Sequence, residues 1–389
     1  LIPHQHPLTK IPVYAATCTE SGCSTEHWEC SLCDQCFLDE AGEQLVHWSD
    51  VHAIRMGHDR QSETILIQPT ENAAGRAETT CSHCGQVFPR VLPPTNATFA
   101  AVFPDDAFRS YVTDSVLILS REGTEDTDVI TDAQWETIRR CQFLSVADLG
   151  IRSLAGVEYF EDLQWLYCNG NQLTTLDLRD NAILESVYCY DNQLTELNVT
   201  GLSFLRSVSC ANNQLSALDL RYNYSLTELY CERNQLTSLN VSGCPSLTAL
   251  YCNDNQLTEL DLSGRAVLRS LKFSGNPLVT LKASGCHKLL TLECPNRKLK
   301  SLILTDCDHL AILNCDGNQL TTLDLSGCSA LDTLNCGQNQ LRSLNLSSCV
   351  KLRSLYCEEN QFLTLDLSQN TLLTALVCQP QSVSGQLPL

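Results

Sequence analysis

"LTALYCNDNQLTELDLSG", residues 247–264, decides the fold, because two of its residues are unusual in a run this apolar. A cysteine at 252 stands where a packed core would ordinarily take leucine. An asparagine follows three residues later, again in a core-like position. Both recur every 21 residues. From Leu163 the chain divides into ten units of 21 residues, with an eleventh begun at Leu373, on the pattern L-x-x-L-x-C-x-x-N-Q-L-T-x-L-D-L-S-x-(N/C)-x-x. The cysteine column runs Cys168, Cys189, Cys210, Cys231, Cys252, Cys294, Cys315, Cys336, Cys357 and Cys378, departing only at Phe273. The asparagine column runs Asn171, Asn192, Asn213, Asn234, Asn255, Asn276, Asn318, Asn339 and Asn360, departing at Arg297.

Such a period is the mark of a stacked repeat, here a leucine-rich repeat solenoid. The L-x-L/C alternation has strand periodicity, with every second side chain turned inward. One short strand per turn stacks in parallel on the next at about 4.8 Å, so eleven turns make a curved slab on the order of 50 Å long. Each coil must bend sharply after its strand, and a column of buried asparagines can satisfy the backbone groups left there. The second arm, "LTELDLSGC", predicts short strands or tight turns and no helix.

The cysteine column reads as packing. Adjacent thiols in a strand ladder lie about 4.8 Å apart, longer than a relaxed disulfide, and collinear thiols cannot close a tetrahedron around zinc. Cysteine serves as a small hydrophobe, and free buried thiols are expected. A second column, Cys244, Cys286, Cys307, Cys328 and Cys349, occupies a slot that is Asn181, Asn223 and Asn370 elsewhere, so cysteine substitutes there for a turn asparagine.

Composition excludes several functions. The chain has 389 residues, with 45 acids against 25 bases, a formal charge of −20. That balance argues against nucleic acid or an anionic membrane surface as partners. No run approaches 18 apolar residues, so no membrane span is expected. The start, "LIPHQHPLTK", does not read as a signal peptide. Both ends read as cut from a longer polypeptide, which leaves export open. There is no H-E-x-x-H, G-x-S-x-G, phosphate loop or dinucleotide fingerprint, and the "SGC" tripeptides follow from repeat register. No catalytic residues are expected.

The pattern "LxxLxCxxNQLTxLDLSxN" resembles the repeats of bacterial cell-surface leucine-rich repeat proteins, specifically internalin-like ones with a cysteine ladder. That resemblance covers roughly residues 100–389. It implies a helical cap over the first turn. The residues agree: "FPDDAFRSYV" places Pro104 and two acids at a helix start near residue 104, and "TDAQWETIRR" has Thr131 and Gln134 at capping-box spacing. In similar proteins the cap contains a calcium-loop-like segment. Here "GTEDTDVITDAQ", aligned on Ile130, puts Gly123, Glu125, Thr127 and Gln134 at the ligand slots, too few carboxylates for calcium. Calcium is not expected.

Residues 1–95 hold seven of the 23 cysteines and seven of the nine histidines. Two stretches end in C-x-x-C-x-x-x-F, at Cys30, Cys33 and Phe37 and at Cys81, Cys84 and Phe88. They resemble short Cys modules found in tandem on surface proteins of Gram-positive gut and rumen bacteria. Cys30, Cys33, Cys81 and Cys84 could hold one zinc ion, form local disulfides, or remain free thiols. "RVLPPTNATFA" reads as a linker. The organisation expected is a first Cys-rich module over 1–60, a second over 61–95, a helical cap with an irregular first repeat over 96–162, and the solenoid over 163–389.

The remaining feature is the outward strand face. Trp165, Tyr167, Tyr188, Tyr190, Tyr230 and Tyr251, interspersed with Glu228, Glu232 and Asp254, form the candidate ligand-binding surface on the concave sheet. Aromatic side chains with polar tips favour binding surfaces. Together with the resemblance, this implies a non-catalytic, monomeric adhesion module of an exported surface protein, binding a host protein or a glycan. The alternatives are a targeting arm of a larger enzyme and an intracellular zinc-containing scaffold.

Overall fold

The computed structural model describes residues 62–71, 73–80, 87–117, 126–294 and 298–379, and the course of six short strands before residue 54. The chain forms two compact units, 1–95 and 96–389.

In the first unit, Leu8–Ile11, His27–Cys30, Cys36–Phe37 and Leu45–Val46 form an antiparallel sheet, and Gly22–Cys23 pairs with His52–Ala53. A three-stranded antiparallel sheet follows, Ser62–Ile67, Gly75–Thr80 and Val87–Leu92, burying Ala77, Phe88 and Val91. Gly75 allows the tight return, since a Cβ there would meet the Ile67 carbonyl at 2.4 Å. The stretch read as a linker is therefore shorter than expected. Its first three residues finish the strand Val87–Leu92, and its end enters a short helix, Phe99–Val102, capped by the Thr98 hydroxyl.

The cap of the second unit is built on its N-terminal signals. The next helix is Asp106–Tyr111, two residues later than Pro104 suggested, because Asp105 is the capping residue. One Asp105 oxygen accepts from Ala107 and Phe108; the other accepts from the Arg152 and Ser153 amides and so ties helix to first turn. Phe103, Phe108 and Phe160 are fully enclosed; Phe103 meets the other two edge to face at 5.5 and 6.3 Å, and Phe108 lies tilted against Phe160 at 6.3 Å. Such ring pairs add to the burial term. The third helix, Asp132–Arg139, carries the expected box, in which Gln134 Oε1 accepts from the Thr131 amide at 2.8 Å. Ile130 is buried, as aligned; Gly123 and Glu125 lie outside the described residues.

The solenoid then coils with one three-residue strand per turn. Phe143–Ser145, Trp165–Tyr167, Ser186–Tyr188, Ser207–Ser209, Glu228–Tyr230, Ala249–Tyr251 and Ser270–Lys272 make a seven-stranded parallel sheet. Thr291–Glu293, Ile312–Asn314, Thr333–Asn335, Ser354–Tyr356 and Ala375–Val377 make a second, five-stranded one. Among the described residues no strand pairing joins the two, and the seam falls beside Phe273, where the repeat itself departs. The opposite arm bridges it with Glu259–Asp261, Thr280–Lys282 and Ser301–Ile303 in one parallel sheet.

The core is the leucine set plus the cysteine column, whose thiols are buried from Cys168 to Cys357 and free. Burial pushes the Cys210, Cys252 and Cys315 thiols up to about 12, so they remain protonated. The asparagine column works as the pattern requires. Asn213 Nδ2 donates to the carbonyls of Cys189 (3.0 Å), Cys210 (3.1 Å) and Ala211 (3.2 Å), while its Oδ1 accepts from the Leu194 amide at 2.9 Å. Each such residue thus stitches two successive turns. The residue before it is left-handed, as at Asp191, Asn212, Arg233 and Asp254, with φ of 51–55°.

The second column works differently. Asn181, Asn223 and Asn370 donate to carbonyls 24 and 21 residues back, but their Oδ1 atoms are buried without a partner. In the same slot Cys286 and Cys307 direct Sγ at the carbonyl 24 residues back, at 3.4 and 3.0 Å. Arg265 Nη1 reaches the equivalent carbonyl of Val241 at 2.8 Å, and Leu202 fills the slot with no donor. This slot needs at most a donor, which is why cysteine replaces asparagine here and never in the first column.

Candidate functional site

The outward positions of the seven-stranded sheet come into register as two rows. One reads Phe143, Trp165, Ser186, Ser207, Glu228, Ala249, Ser270; the other reads Ser145, Tyr167, Tyr188, Ser209, Tyr230, Tyr251, Lys272. The strands Trp165–Tyr167, Ser186–Tyr188, Glu228–Tyr230 and Ala249–Tyr251 bury the middle residue and leave the flanking pair on the surface, as a pleat demands.

The tyrosines form two pairs. Tyr167 and Tyr188 lie face to face, with centroids 4.6 Å apart and planes 8° from parallel. Tyr230 and Tyr251 meet edge to face at 5.1 Å. Ser209 separates the pairs. Tyr251 is held further by a hydrogen bond from Ser270 Oγ (3.0 Å) and by the Lys272 ammonium 4.4 Å from its ring centre. Burial, and then the charge of neighbouring Glu228, raise the Tyr230 phenol above its ordinary range.

The other candidates sit at the edge of this face. Tyr190 and Glu232 follow the core cysteine at the start of the turn, and both are half-buried. One carboxylate oxygen of Glu232 is enclosed without a hydrogen-bond partner, and burial raises its pKa. Asp254 is not on the strand at all. It occupies the left-handed turn position, exposed, with a carboxylate oxygen 3.9 Å from Arg233 Nε. Cys33, Cys81 and Cys84 lie outside the described residues, as does the side chain of Cys30.

Two features escaped the reading of the sequence. Phe143, 54% exposed, extends the aromatic surface by one turn and contacts Tyr167 at 5.4 Å. Its signal was the triplet "FLS" ahead of Val146, matching "WLY" ahead of Cys168. Ser207, in an outward row, is only 7% exposed, and its hydroxyl has no hydrogen-bond partner. The five-stranded sheet offers a contrast: its outward rows hold Thr291, Glu293, Ile312, Asn314, Thr333 and Asn335 before Tyr356.

Residues 224–264 match the family model for leucine-rich repeats in two copies. Among solved structures, the functional domain of InlJ from Listeria monocytogenes, which includes a cysteine ladder, is 34% identical over 72% of this chain and 60% of that one, with a TM-score of 0.54. The chain thus spans about three fifths of the length of that relative. An internalin, InlF, from Listeria monocytogenes is 20% identical over 75% of this chain and 98% of its own, at a TM-score of 0.40. YopM from Yersinia enterocolitica is 25% identical over 64% of this chain and 57% of its own, at 0.44. No curated protein sequence matches significantly. Among the described residues no helix is long and apolar enough to cross a membrane.

Proposed function

We propose, from the premise that this chain is a leucine-rich repeat protein with internalin-like, cysteine-ladder turns, that it is a binding module which captures another protein on the outward face of its seven-stranded parallel sheet. The observation that carries this reading is the placement of the two tyrosine pairs. They are held in register by a rigid ladder and confined to the early turns. Tyr and Trp supply large contact area at low entropic cost, and residues already fixed against neighbours lose little more on binding. We assign Trp165, Tyr167, Tyr188, Tyr230, Tyr251 and Glu228 to the contact surface, with Phe143 added. Adhesion of a cell to a host protein is the biological role that this face would serve.

The test replaces Tyr188, Tyr230 and Tyr251 together by alanine. These side chains stand outside the core, so the melting temperature is expected to stay within a few degrees. Capture from an array of extracellular host proteins is expected to weaken at least ten-fold. Undiminished capture by a folded triple variant would overturn the reading. Antibody labelling of intact against permeabilised cells of the source organism tests display, and labelling only after permeabilisation would remove the adhesive role.

A further inference from the structure

The break between the tyrosine pairs is a slot with a chemistry of its own. Tyr167 and Tyr188 stack at 4.6 Å, close to the strand spacing, so their rings stand across the ladder with their faces along it. The second face of Tyr188 therefore looks toward the next strand, which carries only Ser209 in that row. Tyr230 stands on the far side, two strands from Tyr188, or about 9–10 Å at the backbone. That backbone width is about twice the 4.6 Å ring spacing of the Tyr167–Tyr188 stack, room for one flat group against the second face of Tyr188. The slot is also electronegative. Glu228 lies beside Tyr230, and Glu232 begins the turn below it with an enclosed, unpartnered oxygen. Ser207, more than nine-tenths buried on the same strand as Ser209, brings a hydroxyl that no protein group satisfies.

Three strands further along the same row, the molecule itself sets a cation on one of these rings: Lys272 lays its ammonium over Tyr251. We propose that the Ser209 slot receives an arginine side chain of the protein partner. This deepens the binding reading above and rests on it. A guanidinium is flat, stacks on aromatic faces, and presents several donors at once for carboxylates and hydroxyls. An ammonium would meet the charge without filling the flat gap. A chain with a formal charge of −20 favours the approach of a basic segment from a distance.

The experiment uses the whole chain with 3-fluorotyrosine incorporated, its Tyr188 and Tyr230 resonances assigned by Tyr→Phe variants. The probe is a pentapeptide, acetyl-Ser-Gly-Arg-Gly-Ser-amide, set against the same peptide with neutral citrulline. The arginine peptide is expected to shift both resonances saturably, and the citrulline peptide to do so at least five-fold more weakly. Ser209→Tyr continues the tyrosine row without touching the core and is expected to abolish the shifts. Glu228→Gln should weaken binding about three-fold or more, whereas Glu196→Gln, which removes a charge from the opposite arm, should not. Equal binding of citrulline, or shifts that survive Ser209→Tyr, would overturn the proposal. So would maltotriose shifting the two resonances while the arginine peptide leaves them, since the slot would then be a sugar platform. Loss of partner capture in the triple alanine variant alongside a silent peptide would sink the slot and spare the binding face. The reverse result would sink the binding face alone.

Discussion

The turn after the outward strand and the turn after the opposite arm both hold a buried slot, yet they tolerate substitution very differently. In the first, every described repeat position is asparagine, and the side chain uses both ends, as at Asn213. In the second, asparagine uses only its donors and leaves Oδ1 orphaned, as at Asn223. An orphaned buried acceptor costs free energy, which offsets what the donors contribute. Cysteine, a weak donor with no comparable need for a partner, gives up some hydrogen bonding and removes that penalty. The difference teaches that a repeat consensus records how many ends of a side chain are in use, and not merely that the position is buried.

That comparison can be broken. Asn213→Cys is expected to destabilise the solenoid by about 3 kcal/mol or more, because several buried backbone groups of two turns lose their partner together. Urea unfolding followed by circular dichroism measures it, and a cost under 1 kcal/mol would erase the distinction between the columns.

The pH profile sharpens it next. Unfolded thiols ionise near the ordinary value of 9.0, whereas burial holds Cys210, Cys252 and Cys315 up to about 12 and Cys244 and Cys349 to about 11. A raised folded-state value favours the native state only while the thiols keep their protons. Stability is therefore complete below pH 9 and is lost as pH rises from 9 toward 12, by roughly 1.4 kcal/mol per pH unit for each thiol in that interval. Because Cys244 and Cys349 stop contributing first, Cys244→Ala should flatten the profile less than Cys252→Ala above pH 11. Urea midpoints in reductant from pH 8 upward report this, and a flat profile would contradict thiol burial.

A smaller effect is expected at Tyr222, which holds φ at 68° where Gly201, Gly264, Gly285 and Gly327 occupy the equivalent left-handed position. A bulky residue there is strained by about 1–2 kcal/mol, partly offset by the backbone entropy of glycine. Tyr222→Gly should raise the melting temperature by one or two degrees. The smallest effect completes the contrast: Asn223→Cys is expected to change stability by less than about 1 kcal/mol, since it exchanges one tolerated solution of the slot for another.

Most of the architecture was legible because a 21-residue period leaves one way to stack L-x-L triplets. Thr131 with Gln134 likewise announced its helix. Other features depend on relations that a single chain does not display. Asn223 and Asn213 look alike as letters, and only the partners of Oδ1 separate them. Arg265 looks like a break in its column, although its guanidinium meets the same carbonyl need. Asp254 reads as part of the strand face because the sequence does not show where the pleat ends and the left-handed bend begins. The gap at Ser209 acquires a direction only from the stacking of Tyr167 on Tyr188, which no letter of the sequence displays.

The seam beside Phe273 bears on how the molecule fails. A stack in which each turn is coupled only to its neighbours parts where one coupling is weakest. Between Ser270–Lys272 and Thr291–Glu293 the strand pairing lapses, and the opposite arm carries the load. Under tension along its axis, the stack should fracture there into unequal blocks. The larger block keeps the helical cap and all four paired tyrosines, so the gripping surface would outlast the yielding of the rest.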